Sequence, residues 1–405
     1  MVTERAEARP ARVGLALAGG GPGGAIYEIG ALRALDEALG GIEFNRLHVY
    51  VGVSAGAFLC ANLANKLTPA QMVRAIVKHQ AGEHPFHSSI FLQPATRELA
   101  RRGAAIPRLV WRALWDYARN PSDSSLLDSF TRLGRALPVG LFNNEPIRAF
   151  LQQIYSIKRR TDDFRELDKK LFVVAVDLDS GEAVRFGDPE HDHVPISRAV
   201  QASTALPGLY PPVEIEGRHY VDGVLRKTLH ASVALDAGAE LLLCLNPIVP
   251  VDTSRAVEKG VMRRGKLIDR GWPTVASQAM RTLIHSRLET GLASYHGRYD
   301  ADIVLLEPRE DDYRMFFSNI FSFASRRSVC EHAYQETRRE LLRRADEIEP
   351  VLARHGITLR REVLEEERDL WRGVGLPPGA DRRHGNRTLR RLDHLLDRLE
   401  AATGL

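Results

Sequence analysis

The sequence has 405 residues, of which 44% are hydrophobic and 27% are charged, and its formal net charge is +4. This balance is typical of a soluble globular protein and excludes a disordered or fibrous chain. No zinc-finger or RNP-like signature accompanies the mild positive charge, so we expect no nucleic-acid partner. No segment reaches the roughly 18 consecutive apolar residues of a membrane span, and we therefore expect a soluble or peripheral protein.

The N-terminus begins polar and charged, and its first apolar run, Val13–Ala18, leads into glycines. This run is too short for a signal-peptide core. We therefore expect residues 1–11 to be a disordered leader, with no signal peptide, and a cytoplasmic or peripheral membrane location. The three cysteines, Cys60, Cys244 and Cys330, lack metal-ligand spacing and are interpreted as buried thiols.

The N-terminal part of the chain alternates between short apolar runs and helical stripes. Such a βαβα succession predicts a parallel α/β sheet. The predicted elements are the strand Arg12–Ala18, the glycine loop Gly19–Gly24, the helix Ala25–Leu39, the strand His48–Val53 and the helix Ala55–Leu67.

The middle of the chain begins with a mostly helical stretch, about 69–140, that is interrupted by prolines and predicts a cap or insertion on the sheet. Further strand and hairpin patterns follow it. The predicted elements are the helix Ile147–Ile154, the strands Leu171–Leu178 and Ala183–Phe186, the hairpin Val213–Val221, the helix Leu229–Ala237, and the strands Glu240–Leu245 and Ala301–Leu306.

The composition shifts after Tyr313 towards Glu, Arg and Leu, which predicts charged helices at Glu331–Ala345 and Leu359–Leu370 and a final helix at Asn386–Leu399. We expect these helices to be solvated and packed on the preceding α/β domain, or to form a surface for self-association or a protein partner.

The resulting domain organisation is an α/β domain over residues 12–310 and a C-terminal helical extension over 311–405. A stretch with aromatic and basic residues, Arg108–Tyr117, and the apolar run Met315–Phe323 are each predicted to pack as core or lid, or to contact a lipid interface.

A G-x-S-x-G pentapeptide, Gly52-Val53-Ser54-Ala55-Gly56, lies between a predicted strand and a predicted helix. Small residues on both sides of the serine let the chain turn sharply and lift the serine Oγ above the end of the sheet. The helix N-terminus beside Ser54 favours negative charge that develops there. The pattern therefore predicts a nucleophile elbow.

The run Gly19-Gly20-Gly21-Pro22-Gly23-Gly24 also joins a strand to a helix. Backbone N–H groups in such a loop can bind a phosphate or the oxyanion of an acyl-transfer intermediate. Gly19, Gly21 and Gly24 satisfy G-x-G-x-x-G, but the second strand ends in Ser54 where a dinucleotide site needs an acidic residue. We therefore expect no dinucleotide or other cofactor and no metal.

Asp222 ends an arm of a predicted hairpin, in Tyr220-Val221-Asp222-Gly223. The sequence allows two interpretations of this residue. One is an Asp-Gly turn without catalytic meaning, and the other is a carboxylate that accepts the proton of the serine.

Together, the glycine loop, the serine pentapeptide and the run Ala202–Val213 leading to Asp222-Gly223 resemble the patatin-like phospholipase family. The resemblance covers roughly residues 12–310. It implies a three-layer α/β/α fold with a mostly parallel sheet, a Ser–Asp dyad and hydrolysis of acyl groups from phospholipids or other lipid esters. It assigns Ser54 as nucleophile and Asp222 as base, with the backbone of Gly20, Gly21, Pro22, Gly23 and Gly24 as the oxyanion hole.

The sequence departs from the pattern of the family at two positions. Gly23 stands where the family usually has Lys or Arg, and Val224 is bulkier than the residue usual after the Asp-Gly pair. We expect both departures to affect substrate preference and rate more than the dyad.

Three alternatives stay open at this point. A Ser–acid–His triad would recruit one of the histidines downstream of Asp222. A thioesterase or general carboxylesterase would use the same dyad, and a catalytically silent lipid-binding protein would use only the fold. The histidines in question are His230, His285, His296 and His332.

Overall fold

The computed structural model describes residues 11–77, 93–96, 111, 139–258, 267–295, 297–312 and 323–376. Several predictions fall outside these residues. They are the leader except Ala11, most of the insertion at 69–140, Arg108–Tyr117 except Trp111, Met315–Phe323 except its last residue, His296 and the helix Asn386–Leu399.

Ten strands and twelve helices of the described residues define the architecture, apart from three short 3-10 turns. The strands are β1 (Val13–Leu17), β2 (Leu39–Gly40), β3 (Val49–Val53), β4 (Lys170–Asp177), β5 (Ala183–Phe186), β6 (Val213–Ile215), β7 (Arg218–Asp222), β8 (Leu241–Leu245), β9 (Asp302–Leu306) and β10 (Thr358–Leu359). The helices are α1 (Gly21–Ala38), α2 (Ala55–Ala64), α3 (Pro69–Val77), α4 (Glu145–Tyr155), α5 (Ile196–Ser203), α6 (Ala231–Asp236), α7 (Ser254–Glu258), α8 (Trp272–Ala293), α9 (Phe323–Arg343), α10 (Ala345–Arg354), α11 (Arg361–Glu365) and α12 (Leu370–Gly373).

A mixed sheet of eight strands lies at the centre of the described structure. Its strands β4, β3, β1, β8 and β9 are neighbours in that order and run parallel. β5 and β7 pair antiparallel with β4, and β6 pairs antiparallel with β7. The prediction of a mostly parallel sheet is confirmed.

Side chains of the central strands alternate between two separate cores, as the two-residue period of a strand requires. On β1, Leu15 and Leu17 belong to one core and Ala16 to the other. The first core also contains side chains from α1, α2, α5 and α9, and the second contains side chains from α6 and α8. Helices therefore cover both faces of the sheet, and the predicted three-layer α/β/α arrangement is confirmed.

The C-terminal residues share a core with the sheet domain, because α9 packs closely along α1. A Cβ atom added to Gly30 of α1 would lie 2.4 Å from the carbonyl oxygen of Cys330, so only glycine allows this approach. The Tyr334 hydroxyl donates a hydrogen bond to Glu37, which is also on α1.

The prediction of one helix over Leu359–Leu370 is wrong. Leu359 belongs to β10, which pairs antiparallel with Leu39 and Gly40 of β2, and the short helices α11 and α12 follow. Pairing with a strand that is distant in the sequence overrides the local helical pattern of this segment.

The described helices include none that combines the length and the apolarity needed to cross a bilayer. All three cysteines are free and buried, which confirms that they are buried thiols.

Candidate active site

Ser54 lies in the sharp turn between β3 and α2 and is the N-cap of that helix. Its φ of 53° and ψ of −118° are unusual for a residue with a side chain. The turn depends on close backbone contacts: a Cβ on Gly52 would lie 2.4 Å from Ala57 Cα, and one on Gly56 would lie 2.3 Å from the Leu17 carbonyl oxygen. Glycine at both positions therefore permits the turn that holds Ser54.

The register of β4 brings Asp222 to the end of the strand that precedes Ser54. β5 pairs along one edge of β4, while β3 and β7 pair with successive parts of the other edge. Val53 is opposite Val174, and Asp222 is opposite Ala175, the next residue of β4. Because β3 and β7 run in opposite directions, their final residues meet at this point.

The Asp222 side chain is buried, and its Oδ1 accepts a hydrogen bond from the Val224 amide at 2.9 Å. Burial raises the pKa of Asp222 to about 7, although the Val224 amide and the nearby Ser54 hydroxyl favour the charged form. A base with a pKa in this range can exchange protons near neutral pH.

Gly223 lets the Asp222 segment approach the sheet. A Cβ at this position would lie 2.3 Å from the Val174 carbonyl oxygen and 3.1 Å from Val53 Cγ1. Close packing where β3, β4 and β7 meet therefore explains why glycine follows Asp222.

Ser203, the last residue of α5, fixes the backbone of Ser54. Its Oγ accepts a hydrogen bond from the Ser54 amide at 2.8 Å and donates one to the Val174 carbonyl at 2.6 Å. Ser203 is fully buried, so these two bonds are protected from competition with water. Sequence analysis included Ser203 in a family-like run but gave it no role.

The glycine loop differs in detail from its prediction, because α1 begins at Gly21 and not at Ala25. Pro22 has no backbone N–H, and the Gly24 N–H donates to the Gly20 carbonyl at 3.0 Å. Pro22 therefore cannot donate to an oxyanion, and the Gly24 amide is already engaged. Gly21 and Gly23 lie in the first helical turn, whose N–H groups have no partner within the helix.

Ser54, Asp222 and the glycine loop line one cavity of about 220 Å³. Gly20, Gly21 and Pro22 are on its wall, whereas Gly23 and Gly24 are not among the lining residues. Most of the other lining side chains are apolar, and they come from α1, α2, α4, α8, the turn after β7 and the loops that follow α5 and β8. They are Ala25, Ala55, Phe58, Ile147, Leu206, Leu209, Tyr210, Val224, Ile248, Met280 and Ile284, with Thr204, Ser277 and Arg281 as polar additions.

The described histidines occupy positions outside this cavity wall. Nε2 of His230 lies 3.3 Å from the Gly223 carbonyl oxygen, and burial lowers the pKa of His230 to about 4. His285 lies 3.6 Å from Glu307, and His332 lies 2.7 Å from Asp312. No described histidine has a recorded hydrogen bond to Ser54 or Asp222, so a triad gains no support from these residues.

Among the described residues, no group of three or more His, Cys, Asp or Glu side chains is arranged to hold a metal ion. The described part of the cavity wall carries one carboxylate, Asp222, one guanidinium, Arg281, and several hydroxyls, of which that of Ser54 lies at the sharp turn. The guanidinium, Arg281, was missed by sequence analysis because it lies on a helix that has no recognisable motif.

Residues 15–235 match a family model described as Patatin-like phospholipase. Solved structures with distant similarity include VipD from Legionella pneumophila, at 14% identity and a TM-score of 0.37, with 81% of this chain and 66% of that chain covered. ExoU in complex with SpcU, from Pseudomonas aeruginosa, is similar in two structures. The full-length complex has 16% identity, a TM-score of 0.22 and coverage of 71% and 53%. The heterodimeric complex has 14% identity, a TM-score of 0.25 and coverage of 90% and 66%. This chain thus spans less than two thirds of the length of each of these proteins.

Proposed function

This chain belongs to the patatin-like phospholipase family, and we propose that it is a serine lipid acyl hydrolase of the phospholipase A or lysophospholipase type. The observation that carries the proposal is that the Ser54 hydroxyl and the buried Asp222 carboxylate lie together on the wall of one largely apolar cavity. A hydroxyl nucleophile next to a general base is an arrangement suited to acyl transfer through a covalent intermediate.

In the first step of the proposed mechanism, Ser54 Oγ attacks the carbonyl carbon of the ester while Asp222 accepts the hydroxyl proton. The pKa of Asp222, raised by burial to about 7, makes it a stronger base than an exposed aspartate. Collapse of the tetrahedral intermediate breaks the bond to the alcohol, which takes the proton from Asp222, and leaves an acyl-serine.

Backbone amides at two helix N-termini are the proposed oxyanion hole. Gly21 and Ala55 are the first residues of α1 and α2, and both line the cavity. The first N–H groups of a helix have no intrahelical acceptor, and the helix dipole there favours an anion. Of the glycine-loop amides predicted from the sequence, Gly21 is therefore the donor that we retain. Loss of one such donor typically lowers the rate about 10²–10³-fold.

In the second step, water attacks the acyl-serine with Asp222 again as base. The proton returns to Ser54 as the fatty acid leaves, so the dyad is regenerated. The two proposed reaction steps use no histidine, metal or cofactor.

The apolar lining of the cavity supports an acyl chain as the part of the substrate that enters it. Phe58, Ile147 and Met280, with the other apolar residues of the wall, provide a surface for methylene groups. A thioester would leave the same acyl-serine, so a thioesterase or carboxylesterase is the second candidate function. The presence of Ser54 and Asp222 together on the wall of this cavity argues against a catalytically silent protein.

Peripheral contact with lipid is proposed for the outer side of α8. This helix lines the cavity through Met280 and Ile284, while Trp272, Val275 and Leu283 are 75%, 45% and 54% exposed. An apolar outer surface on a helix that covers a lipid-binding cavity is suited to a membrane or micelle surface. Trp111 is also exposed, at 66%.

A protein partner for the C-terminal helices stays a prediction. The described part of α9 buries Val329, Ala333 and Tyr334 in the core that it shares with α1, so these side chains are already occupied within the chain.

The test is release of free fatty acid from mixed phospholipid vesicles, from a soluble short-chain ester and from the matching thioester. A folded Ser54→Ala variant is the control for all three substrates. Release from vesicles that disappears in the control supports the lipase. Serine-dependent release from the soluble ester or thioester alone would favour the second candidate, and equal release by both proteins would reject Ser54 as the nucleophile.

A further inference from the structure

The wall of the active-site cavity contains side chains from both cores of the protein. Phe58 and Ile147 belong to the first core. Val224 and Ile284 belong to the second. The sheet lies between these two cores, and Ser54 follows the last residue of β3. The cavity therefore crosses the end of the sheet at the nucleophile, with an apolar surface on each side.

The first-core side of the cavity ends against buried side chains. Gly21, at the beginning of α1, is exposed, but Ala25, one turn further along the helix, is only 8% exposed. Phe58 and Ile147, which line the cavity from α2 and α4, are 6% and 1% exposed. A hydrocarbon chain that extends from Ser54 in this direction thus meets a closed wall without polar side chains.

Contacts with the nucleophile turn hold this closed wall in place. Asn144, the N-cap of α4, donates to the Gln201 carbonyl at 2.9 Å and accepts from the Gln201 side chain at 3.1 Å. Gln201 is on α5, the helix whose last residue, Ser203, binds the Ser54 amide. The wall and the nucleophile are therefore attached to the same helix.

The second-core side of the cavity opens towards solvent along α8. Ser277 is exposed and Met280 is partly exposed, and both line the cavity. Met280 also packs against the second core, next to the buried Ile284. A group bound on this side can therefore leave past α8 while the other side stays occupied.

The two parts of an ester have different fates in the proposed mechanism. The acyl part stays bound to Ser54 after the first step, whereas the alcohol leaves before water attacks. A closed and fixed wall keeps the acyl group in position until it is hydrolysed. The alcohol needs a site with an exit.

We propose that the first-core side of the cavity binds the acyl chain and that the second-core side binds an apolar alcohol part. The substrate class is thus an ester with a hydrocarbon chain on each side of the reacting bond, such as a diacyl lipid whose second chain belongs to the leaving alcohol. This inference rests on the proposed acyl hydrolase function. Phe58 and Ile147 determine acyl specificity in this account, and Met280 and Ile284 determine alcohol specificity.

Two isomeric soluble esters test the assignment, because they carry the same six-carbon chain on opposite sides of the ester bond. Ethyl hexanoate has this chain in the acyl part, and hexyl acetate has it in the alcohol part. Met280→Trp is expected to raise KM for hexyl acetate about 10-fold, the effect of excluding roughly two methylene groups, with KM for ethyl hexanoate unchanged.

Ile147→Phe is expected to give the reverse pattern, because its larger side chain shortens the closed side of the cavity. Ile147→Ala is a second variant that lengthens this side, and it is expected to increase kcat/KM for ethyl octanoate relative to ethyl hexanoate. Thermal unfolding of each variant identifies any loss that comes from folding. Exchange of the two patterns, or a loss on the same ester in both Met280→Trp and Ile147→Phe, would overturn the proposal.

Ala279→Trp is the matched control for Met280→Trp. It adds the same side chain to the next residue of α8, at an exposed position that is not part of the cavity wall. Both KM values are expected to stay the same. A rise of KM for hexyl acetate as large as that in Met280→Trp would contradict a specific role for the cavity side of α8.

A binding measurement separates failure of this inference from failure of the proposed function, because it needs no turnover. Calorimetric titration of the Ser54→Ala protein with the two esters is expected to give affinities that respond separately: adding Met280→Trp weakens binding of hexyl acetate alone, and adding Ile147→Phe weakens binding of ethyl hexanoate alone. This pattern without any Ser54-dependent hydrolysis would reject the proposed function and support a cavity with two binding sides. Equal weakening of both esters by either variant would overturn the inference, whatever the activity of the wild type.

Discussion

Ser54 and Asp222 are neighbours because the strands that carry them pair with consecutive residues of β4. Val53 is opposite Val174 and Asp222 is opposite Ala175, so β3 and β7 meet end to end along one edge of the same strand. The contact thus depends on strand register. A hairpin arm that slipped by one residue would move the carboxylate to the other face of the sheet.

The pKa of Asp222 predicts the pH dependence of catalysis. The base must be deprotonated to accept the Ser54 proton, and burial raises its pKa to about 7. We therefore expect kcat/KM for a soluble ester to rise with pH to a plateau, with its midpoint near 7. An exposed aspartate would give a midpoint near 4, and observing such a midpoint would contradict the assignment.

The raised pKa of Asp222 also predicts that Asp222→Asn stabilises the protein at alkaline pH. Because the folded-state pKa lies above the unfolded value, the folded state binds more protons between about pH 4 and 7. The stability contributed by Asp222 is present at low pH and is lost as pH rises through 7. The asparagine variant avoids this loss, so we expect its free energy of unfolding at pH 8 to exceed that of the wild type by about 1–4 kcal/mol.

Urea unfolding at pH 4 and at pH 8 measures this difference, which is expected to shrink at the lower pH. A variant that is less stable than the wild type at pH 8 would show that the carboxylate is not held in an unfavourable environment.

Ser203 is expected to position the nucleophile. Replacement by alanine leaves the Ser54 amide and the Val174 carbonyl without their buried partner, which typically costs about 1–3 kcal/mol of stability. We also expect kcat to fall more than KM rises, because the Ser54 backbone loses its fixed orientation. Steady-state kinetics on a soluble ester, with unfolding measured in parallel, tests both effects.

Ser197→Ala is the control for this experiment. Ser197 is another buried serine of α5, but its amide and hydroxyl bind Asp162 and not the nucleophile turn. It is expected to lose stability while keeping kcat. Equal kcat losses in the two variants would contradict a specific role for Ser203.

The outer side of α8 is expected to mediate binding to lipid. A Trp272→Ser and Leu283→Ser double variant removes the two most exposed large apolar side chains of this helix. We expect weaker vesicle binding and slower hydrolysis of vesicles, with unchanged hydrolysis of a soluble ester, because the cavity is lined by the opposite side of the helix. Vesicle sedimentation and the two activity assays measure these quantities.

A control double variant, Leu178→Ser with Ile157→Ser, removes apolar side chains that are 50% and 40% exposed elsewhere on the surface. It is expected to bind vesicles as the wild type does. If both double variants lose binding alike, general surface hydrophobicity explains the effect and α8 has no special role.

The sequence predicted the parts of this structure that depend on local pattern. Apolar runs placed the buried strands, and the glycines around Ser54 indicated a sharp turn. The adjacency of Ser54 and Asp222 could be inferred only from family resemblance, because it depends on two long-range registers of β4.

Features that depend on packing between distant segments could not be predicted, because they too are set by long-range contacts and not by local pattern. The pairing of Leu359 with Leu39 replaced a predicted helix. Arg281 reaches the cavity because α8 packs across it, and the sequence around this residue contains no motif that indicates the position. The roles of Ser54 and Asp222 stay predictions until they are tested chemically.

The most direct test of the central claim is to identify the residue that a fluorophosphonate modifies. This reagent forms a stable adduct with an activated serine, and mass spectrometry of the digested protein locates the adduct. We expect modification of Ser54 in proportion to loss of esterase activity, much slower modification in Asp222→Asn and none at this peptide in Ser54→Ala. Modification of a different residue with full loss of activity, or unchanged labelling of Ser54→Ala, would contradict the Ser54–Asp222 dyad.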